Sequence, residues 1–156
     1  MESNEKILKK IYLFSNFDDA ELEKISEIAQ LVTLPQGESI FREGNDANSF
    51  YVVKFGTLKI LANTESGDDV NITTISVGDH FGELPFFDGE KRAASVESLE
   101  KSDLLEIPYG DLKKVLDSNP GMQIKFYRSV ALYLIKRVRM LTHDLAYARE
   151  LKRRFT

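Results

Sequence analysis

The chain has 156 residues, enough for one domain with a substantial core, and its 42% apolar and 29% charged content is ordinary for a globular fold. It contains no cysteine, which excludes disulfides and thiolate metal sites, and no apolar run reaches the length of a membrane span. The net charge of −4 is uneven: residues 136–156 hold seven Lys or Arg against Asp144 and Glu150, a balance of +5 that leaves −9 on the remainder.

Met-Glu-Ser-Asn-Glu-Lys at the N-terminus does not read as a signal peptide, so a cytoplasmic location away from membranes is expected. Residues 4–13 are helix-compatible, with Ile7, Leu8 and Ile11 on one side. Asp18-Asp19-Ala20-Glu21 supplies an Asp cap and first-turn acids, and Leu22, Ile25, Ile28 and Ala29 follow at the helical spacing of core positions.

From Gln30 to Ile107 the period shortens. Leu31–Leu34, Ser39–Phe41, Ser49–Val53, Thr57–Leu61, Val70–Ile75, Ala94–Leu99 and Leu104–Ile107 are short β-rich runs. Gly37, Gly44, Gly56 and Gly78 mark the tight turns between them. Seven or so strands without βαβ alternation indicate an α+β, mainly β protein built on an antiparallel roll or sandwich.

Tyr109–Leu116 is amphipathic, and Pro120 suits the first turn of a further helix. From there Ile124, Tyr127, Ala131, Leu134, Val138, Leu141, Leu145, Ala148, Lys152 and Phe155 recur in steps of three and four, the period of a coiled-coil seam. At 1.5 Å per residue such a helix runs about 50 Å, too long for one domain to cover both ends. A parallel homodimer through Leu134, Val138, Leu141, Leu145 and Ala148 is therefore expected. The basic residues toward its end complement the helix dipole and are too few for a helix-turn-helix.

Residues 78–96 carry the candidate site. Gly82-Glu83-Leu84 could open a short helix whose first amides favour an anion, and a bare Gly82 backbone permits close approach. Arg92 adds a planar, permanently charged fork suited to phosphate. Glu83 would repel phosphate but suits a sugar hydroxyl, and the small residues that follow leave room for a ring. Together these suggest a nucleotide, although the same residues also fit a strand, a surface turn and another strand.

Gly82-Glu83-Leu84, eight residues, then Arg92-Ala93-Ala94-Ser95 resembles the phosphate-binding cassette of the cyclic-nucleotide-binding domain family. Leu34-Pro35-Gln36-Gly37-Glu38, Ile40–Gly44 and Phe50–Gly56 are similar to that family's roll, so the resemblance runs from about residue 13 to residue 145. It implies a single domain over 1–156: a helical N-terminus (1–29), a β-roll (30–107) holding the cassette (82–95), and C-terminal helices (109–155). It further implies that Arg92 pairs with a cyclic phosphate, and that amides near Gly82, Leu84, Ala93 and Ala94 donate to it. Glu83 would accept from a ribose 2′-hydroxyl, and Ser95 would contact phosphate or a guanine amino group, leaving cAMP against cGMP open.

Pro85, Lys91, Phe86 and Phe87 depart from the family pattern, and the hydroxyls that cap adenine in some members are not matched. Tyr133 and Arg137 are the candidate base contacts here. The expected function is a cyclic-nucleotide sensor whose long helix moves or repacks and signals to an unidentified effector protein. No sequence-specific DNA binding is expected. The alternative is a ligand-independent dimerisation scaffold that retains the roll. The two histidines, His80 and His143, lie more than sixty residues apart, so neither catalysis nor a bound metal is expected, and His80 reads as a turn or core residue.

Overall fold

A computed structural model describes residues 2–155, so the outermost residue at each end of the expected domain span lies outside the described residues. Helix α1 (Asn4–Lys9) starts where Ser3 Oγ accepts from the Lys6 N–H, and a 3-10 turn (Tyr12–Phe14) follows. Helix α2 (Asp19–Ile28) opens with a reciprocal cap. Asp18 Oδ1 accepts from the Glu21 N–H at 2.8 Å, and Glu21 Oε1 accepts from the Asp18 N–H at 2.9 Å. Of the apolar residues read at helical spacing, Ile7, Leu8, Ile11, Leu22 and Ile25 are buried, and Ile28 and Ala29 are partly buried against the same core.

Eight strands form among the described residues. They are β1 (Gln30–Leu34), β2 (Ser39–Phe41), β3 (Ser49–Phe55), β4 (Leu58–Asn63), β5 (Asp69–Ile75), β6 (His80–Phe81), β7 (Ser95–Ser98) and β8 (Ser102–Pro108). One antiparallel sheet runs β1-β8-β3-β6 and the other β2-β7-β4-β5. The additional strand β6 pairs His80 with Val52 and Phe81 with Tyr51. Two residues are too short to display alternation, so pairing rather than sequence pattern defines it. Gly56, in the β3–β4 turn, has φ +100, and a Cβ there would lie 2.7 Å from the Ser102 Cα. Only glycine lets this turn lie against β8.

Two cores result. Leu34, Val53, Leu58, Ile75, Val96 and Leu104 lie between the sheets with Tyr51 and Phe81. The opposite face of β3 and β8 (Phe50, Val52, Leu105, Ile107) packs on the N-terminal helices and on α4 (Tyr109–Ser118) and α5 (Pro120–Phe155). The short helix α3 (Leu84–Asp88) sits between β6 and β7.

Helix α5 has 36 residues and is about 54 Å long at 1.5 Å per residue. Only its first part packs on the domain. Met122, Phe126 and Ser129 are buried, Ser129 Oγ accepts from Asn16 Nδ2 at 2.8 Å, and Lys125 pairs with Glu21 at 2.6 Å. The seam positions point away from this contact: Ile124, Leu134, Val138, Leu141 and Leu145 are all more than half exposed. No helix among the described residues is long and apolar enough to cross a membrane.

Candidate functional site

Main-chain pairing fixes the cassette at both ends. The Arg92 N–H donates to Asn45 O at 2.9 Å, and the Gly44 N–H donates to Arg92 O at 2.9 Å, tying the strand that follows to the β2–β3 loop. Lys91 and Asp46 form an exposed ion pair beside this junction. At the other end Gly82 has φ +85 and leads into α3, which closes with Gly89 in the left-handed region.

Arg92 is 4% exposed. Its Nη2 donates to Ser49 O at 2.7 Å, and its Nη1 to Gly82 O at 3.0 Å and to the Tyr109 hydroxyl at 3.4 Å. Tyr109 also donates to Gly82 O. The guanidinium carbon lies 3.9 Å from the centroid of the Phe41 ring. Its Nε is buried without a hydrogen-bond partner, and among the described residues no carboxylate lies within ion-pair distance. Desolvating an ion costs several kcal/mol unless an opposite charge compensates, and a ring face returns only about 0.5–2 kcal/mol. This cation is therefore held at a cost that an entering anion would relieve.

Gly82 is required by the same contact. A Cβ there would come within 2.8 Å of Arg92 Nη1 and 3.3 Å of Phe41 Cε2, besides the strain of its positive φ. The Arg92 fork thus rests directly on the Gly82 backbone.

A cavity of ≈ 230 Å³ opens beside the fork. Phe41, Ile60, Phe81 and Val96 form its apolar wall, and the cassette forms the other side. Glu83 faces this space with its side chain 15% exposed, and its Oε1 lies 3.5 Å from His80 Nε2. Burial pushes the Glu83 carboxyl up, but the neighbouring His80 imidazole and the Glu83 main-chain N–H outweigh it and leave the group below the usual carboxylate range. The cavity therefore presents a cation and a carboxylate separately, an arrangement suited to one ligand with an anionic group and a hydroxyl.

Gly82, Glu83, Leu84, Arg92, Ala93 and Ala94 all line the cavity, so the fold brings six of the expected site residues together. Ser95 is buried just outside the lining, its Oγ accepting from the Glu43 N–H at 2.8 Å. The expected base contacts do not join them. Tyr133 stacks on Tyr12 with centroids 3.8 Å apart and planes within 6°, Arg137 is exposed, and no α5 residue lines the cavity. Phe86 and Phe87 do meet the long helix, through ring contacts with Phe126 at 5.8 and 5.9 Å.

Some participants were not expected. Phe41 and Tyr109 support Arg92 from elements far away in sequence, and nothing local marks them. His80, read as a turn or core residue, instead lines the cavity and pairs with Glu83, because β6 pairing turns it toward the cassette. Its spacing of three residues from Glu83 was visible; that it faces the carboxylate was not. No cluster of three or more His, Asp or Glu that could hold a metal occurs among the described residues.

Comparison with known proteins agrees with this geometry. A family model described as the cyclic nucleotide-binding domain matches residues 31–119, more than half of the chain. Similar curated proteins are cAMP-dependent protein kinase regulatory subunits. That of Blastocladiella emersonii is 27% identical over 118 residues, covering 76% of this chain and 29% of the relative. That of Mycosarcoma maydis is 30% identical over 99 residues, covering 64% and 19%. The chain thus spans less than a third of the length of these relatives.

Among solved structures, the N-terminal domain of a transcriptional regulator from Streptomyces coelicolor A3(2) is 29% identical with a TM-score of 0.79, covering 84% of this chain and 94% of that one. The catabolite activator protein of Thermus thermophilus, 24% identical with a TM-score of 0.74 over 86% of this chain and 62% of that one, shares the fold. Buried Arg92 on Gly82, Glu83 across the same cavity and the match over residues 31–119 converge on one conclusion: the chain belongs to the cyclic nucleotide-binding domain family.

Proposed function

We propose that the cavity binds a cyclic nucleotide, cAMP or cGMP, and that residues 1–156 act as one non-catalytic regulatory module. The observation that carries this reading is Arg92: a buried guanidinium with no carboxylate partner among the described residues, at the edge of a cavity that Glu83 also lines. A cyclic phosphate would take the guanidinium with help from amides near Gly82, Leu84, Ala93 and Ala94. The ribose 2′-hydroxyl would donate to Glu83, and the base would lie toward Ile60 and Val96 or beyond the cavity. Pro85 contributes no N–H, so α3 has one donor fewer for the phosphate.

The ligand would act on α5 through α3, since Phe86 and Phe87 already touch Phe126. A ligand shifts such an equilibrium only by its differential affinity for the two arrangements. The exposed seam of α5 supports a homodimer through Leu134, Val138, Leu141, Leu145 and Ala148, from which an effector protein would read the change. Curated relatives with protein kinase regulatory roles support cAMP as the first ligand to test.

Thermal unfolding with and without cAMP, then cGMP, tests the reading. A ligand at 100 times its dissociation constant stabilises the folded state by about 2.7 kcal/mol, a melting shift of roughly 5–10 °C at this length. Absence of a shift at millimolar concentration of either nucleotide would favour the second reading, a ligand-independent dimerisation scaffold. Tyr133 supports that second reading, being stacked on Tyr12 instead of facing the cavity.

A further inference from the structure

His80 connects the cavity to the long helix by a route that avoids α3. Its Nε2 lies 3.5 Å from Glu83 Oε1, with both side chains largely shielded. Its ring meets Tyr12 edge-on, with centroids 5.0 Å apart and planes at 64°. The Tyr12 ring in turn lies face to face on Tyr133 of α5, at 3.8 Å. Glu83, His80, Tyr12 and Tyr133 therefore form a continuous line from the ligand cavity to the helix. The phenol of Tyr12 is pushed up above its ordinary range by burial and, less strongly, by the negative charge of Glu83.

We propose that His80 competes with the ligand hydroxyl for the Glu83 carboxylate, and that the outcome of this competition is passed through Tyr12 to Tyr133. The inference rests on the reading of the cavity as a cyclic-nucleotide site. In the structure Glu83 Oε1 faces His80 Nε2. A ribose 2′-hydroxyl that donates to Glu83 weakens that pairing, frees the imidazole edge and changes the support beneath the Tyr12–Tyr133 stack. His80 is then a positioning residue that taxes binding and uses the difference to move the helix. The two aromatic contacts make the line stiff enough to transmit a small displacement, since packed rings have few intermediate positions.

His80→Phe is the informative variant because it keeps an aromatic edge against Tyr12 and removes only the nitrogen that meets Glu83. Calorimetric titration of the full chain with cAMP and with 2′-deoxy-cAMP separates competition from general structural damage. The variant is expected to bind cAMP roughly twofold to tenfold more tightly than wild type, the scale of one hydrogen bond, and to bind 2′-deoxy-cAMP unchanged. An equal change for both ligands overturns the proposal, and so does weaker cAMP binding by the variant. His80→Gln, a smaller neutral donor, is expected to lie between wild type and His80→Phe, and to provide the comparison if the Phe variant folds poorly.

The relay has its own readout. The chain has no tryptophan, so Tyr133→Trp places a single, selectively excitable tryptophan on Tyr12. Its emission is expected to shift on adding cAMP, to shift less with 2′-deoxy-cAMP, and to respond weakly in the His80→Phe background. Emission that ignores cAMP while titration shows it bound refutes the relay. Failure of both nucleotides to bind wild type at millimolar concentration removes the underlying site reading as well, so the two failures are told apart by wild-type binding.

Discussion

Arg92→Met tests the account of the buried cation most directly. Breaking a buried ion pair costs roughly 3–5 kcal/mol because the partner charge is stranded. Here no carboxylate accompanies the guanidinium among the described residues, so none is stranded. Gly82 O keeps its donor, the Tyr109 hydroxyl. The group left short is Ser49 O, which accepts from Arg92 Nη2, and an unsatisfied carbonyl costs about 1–3 kcal/mol. Against this stands the removal of a desolvated cation, worth several kcal/mol, and a thioether that still covers the Phe41 ring.

The two sides nearly cancel. Without ligand, Arg92→Met is expected to lie within about 2 kcal/mol of wild type, a melting shift below roughly 8 °C. With ligand the difference is large: two charge-assisted hydrogen bonds of about 1.5–3 kcal/mol each are lost, weakening binding by upward of about 100-fold. Thermal unfolding with and without cAMP reads both quantities from one preparation. An unliganded loss above about 4 kcal/mol would make Arg92 a structural linchpin and refute the argument. Undiminished stabilisation by cAMP would refute it from the other side.

Gly82→Ala forces a side chain into a left-handed position and against Arg92 Nη1, so a loss of about 1–2 kcal/mol and weaker ligand binding are expected together, read by unfolding and titration. Val138→Glu with Leu141→Glu replaces two exposed apolar seam positions; sedimentation is expected to show a dimer for wild type and a monomer for the pair, with the roll still folded. Glu83 has its folded-state carboxyl held below the ordinary 4.5, so its ionised form contributes stability above that value, lost as pH falls through the folded-state value. The acid limb of a melting-temperature profile should accordingly be shallower in Glu83→Gln than in wild type.

Local rules made much of this protein legible before any tertiary contact was known. The Asp cap of α2, the helical spacing of Leu22 and Ile25 and the turn glycines follow from backbone chemistry within a few residues, and each appears where read. The cassette was legible through resemblance to a known family, because the chemistry of Gly82, Glu83 and Arg92 taken alone also fits a strand, a surface turn and another strand. The seam of α5 was readable as a pattern, and its apolar positions do face outward from the domain.

Other features depend on neighbours distant in sequence. The two-residue strand β6 exists because Val52 and Tyr51 supply an edge to pair with, and that pairing is what turns His80 toward Glu83. Phe41 lies beneath Arg92 because β2 pairs with β7, and Tyr109 reaches Gly82 from the start of α4. Tyr133 stacks on Tyr12, away from the cavity, because the buried face of α5, Met122, Phe126 and Ser129, sets the rotation of the whole helix. The sequence by itself determined the helices, every strand but β6 and most core positions, since these follow from period and turn chemistry, and its family resemblance pointed to Glu83 and Arg92 as the candidate charged pair. Only the tertiary structure decided what surrounds that pair, because sheet register and helix rotation are set by packing across the whole domain, and a shift of one residue in either would replace every neighbour.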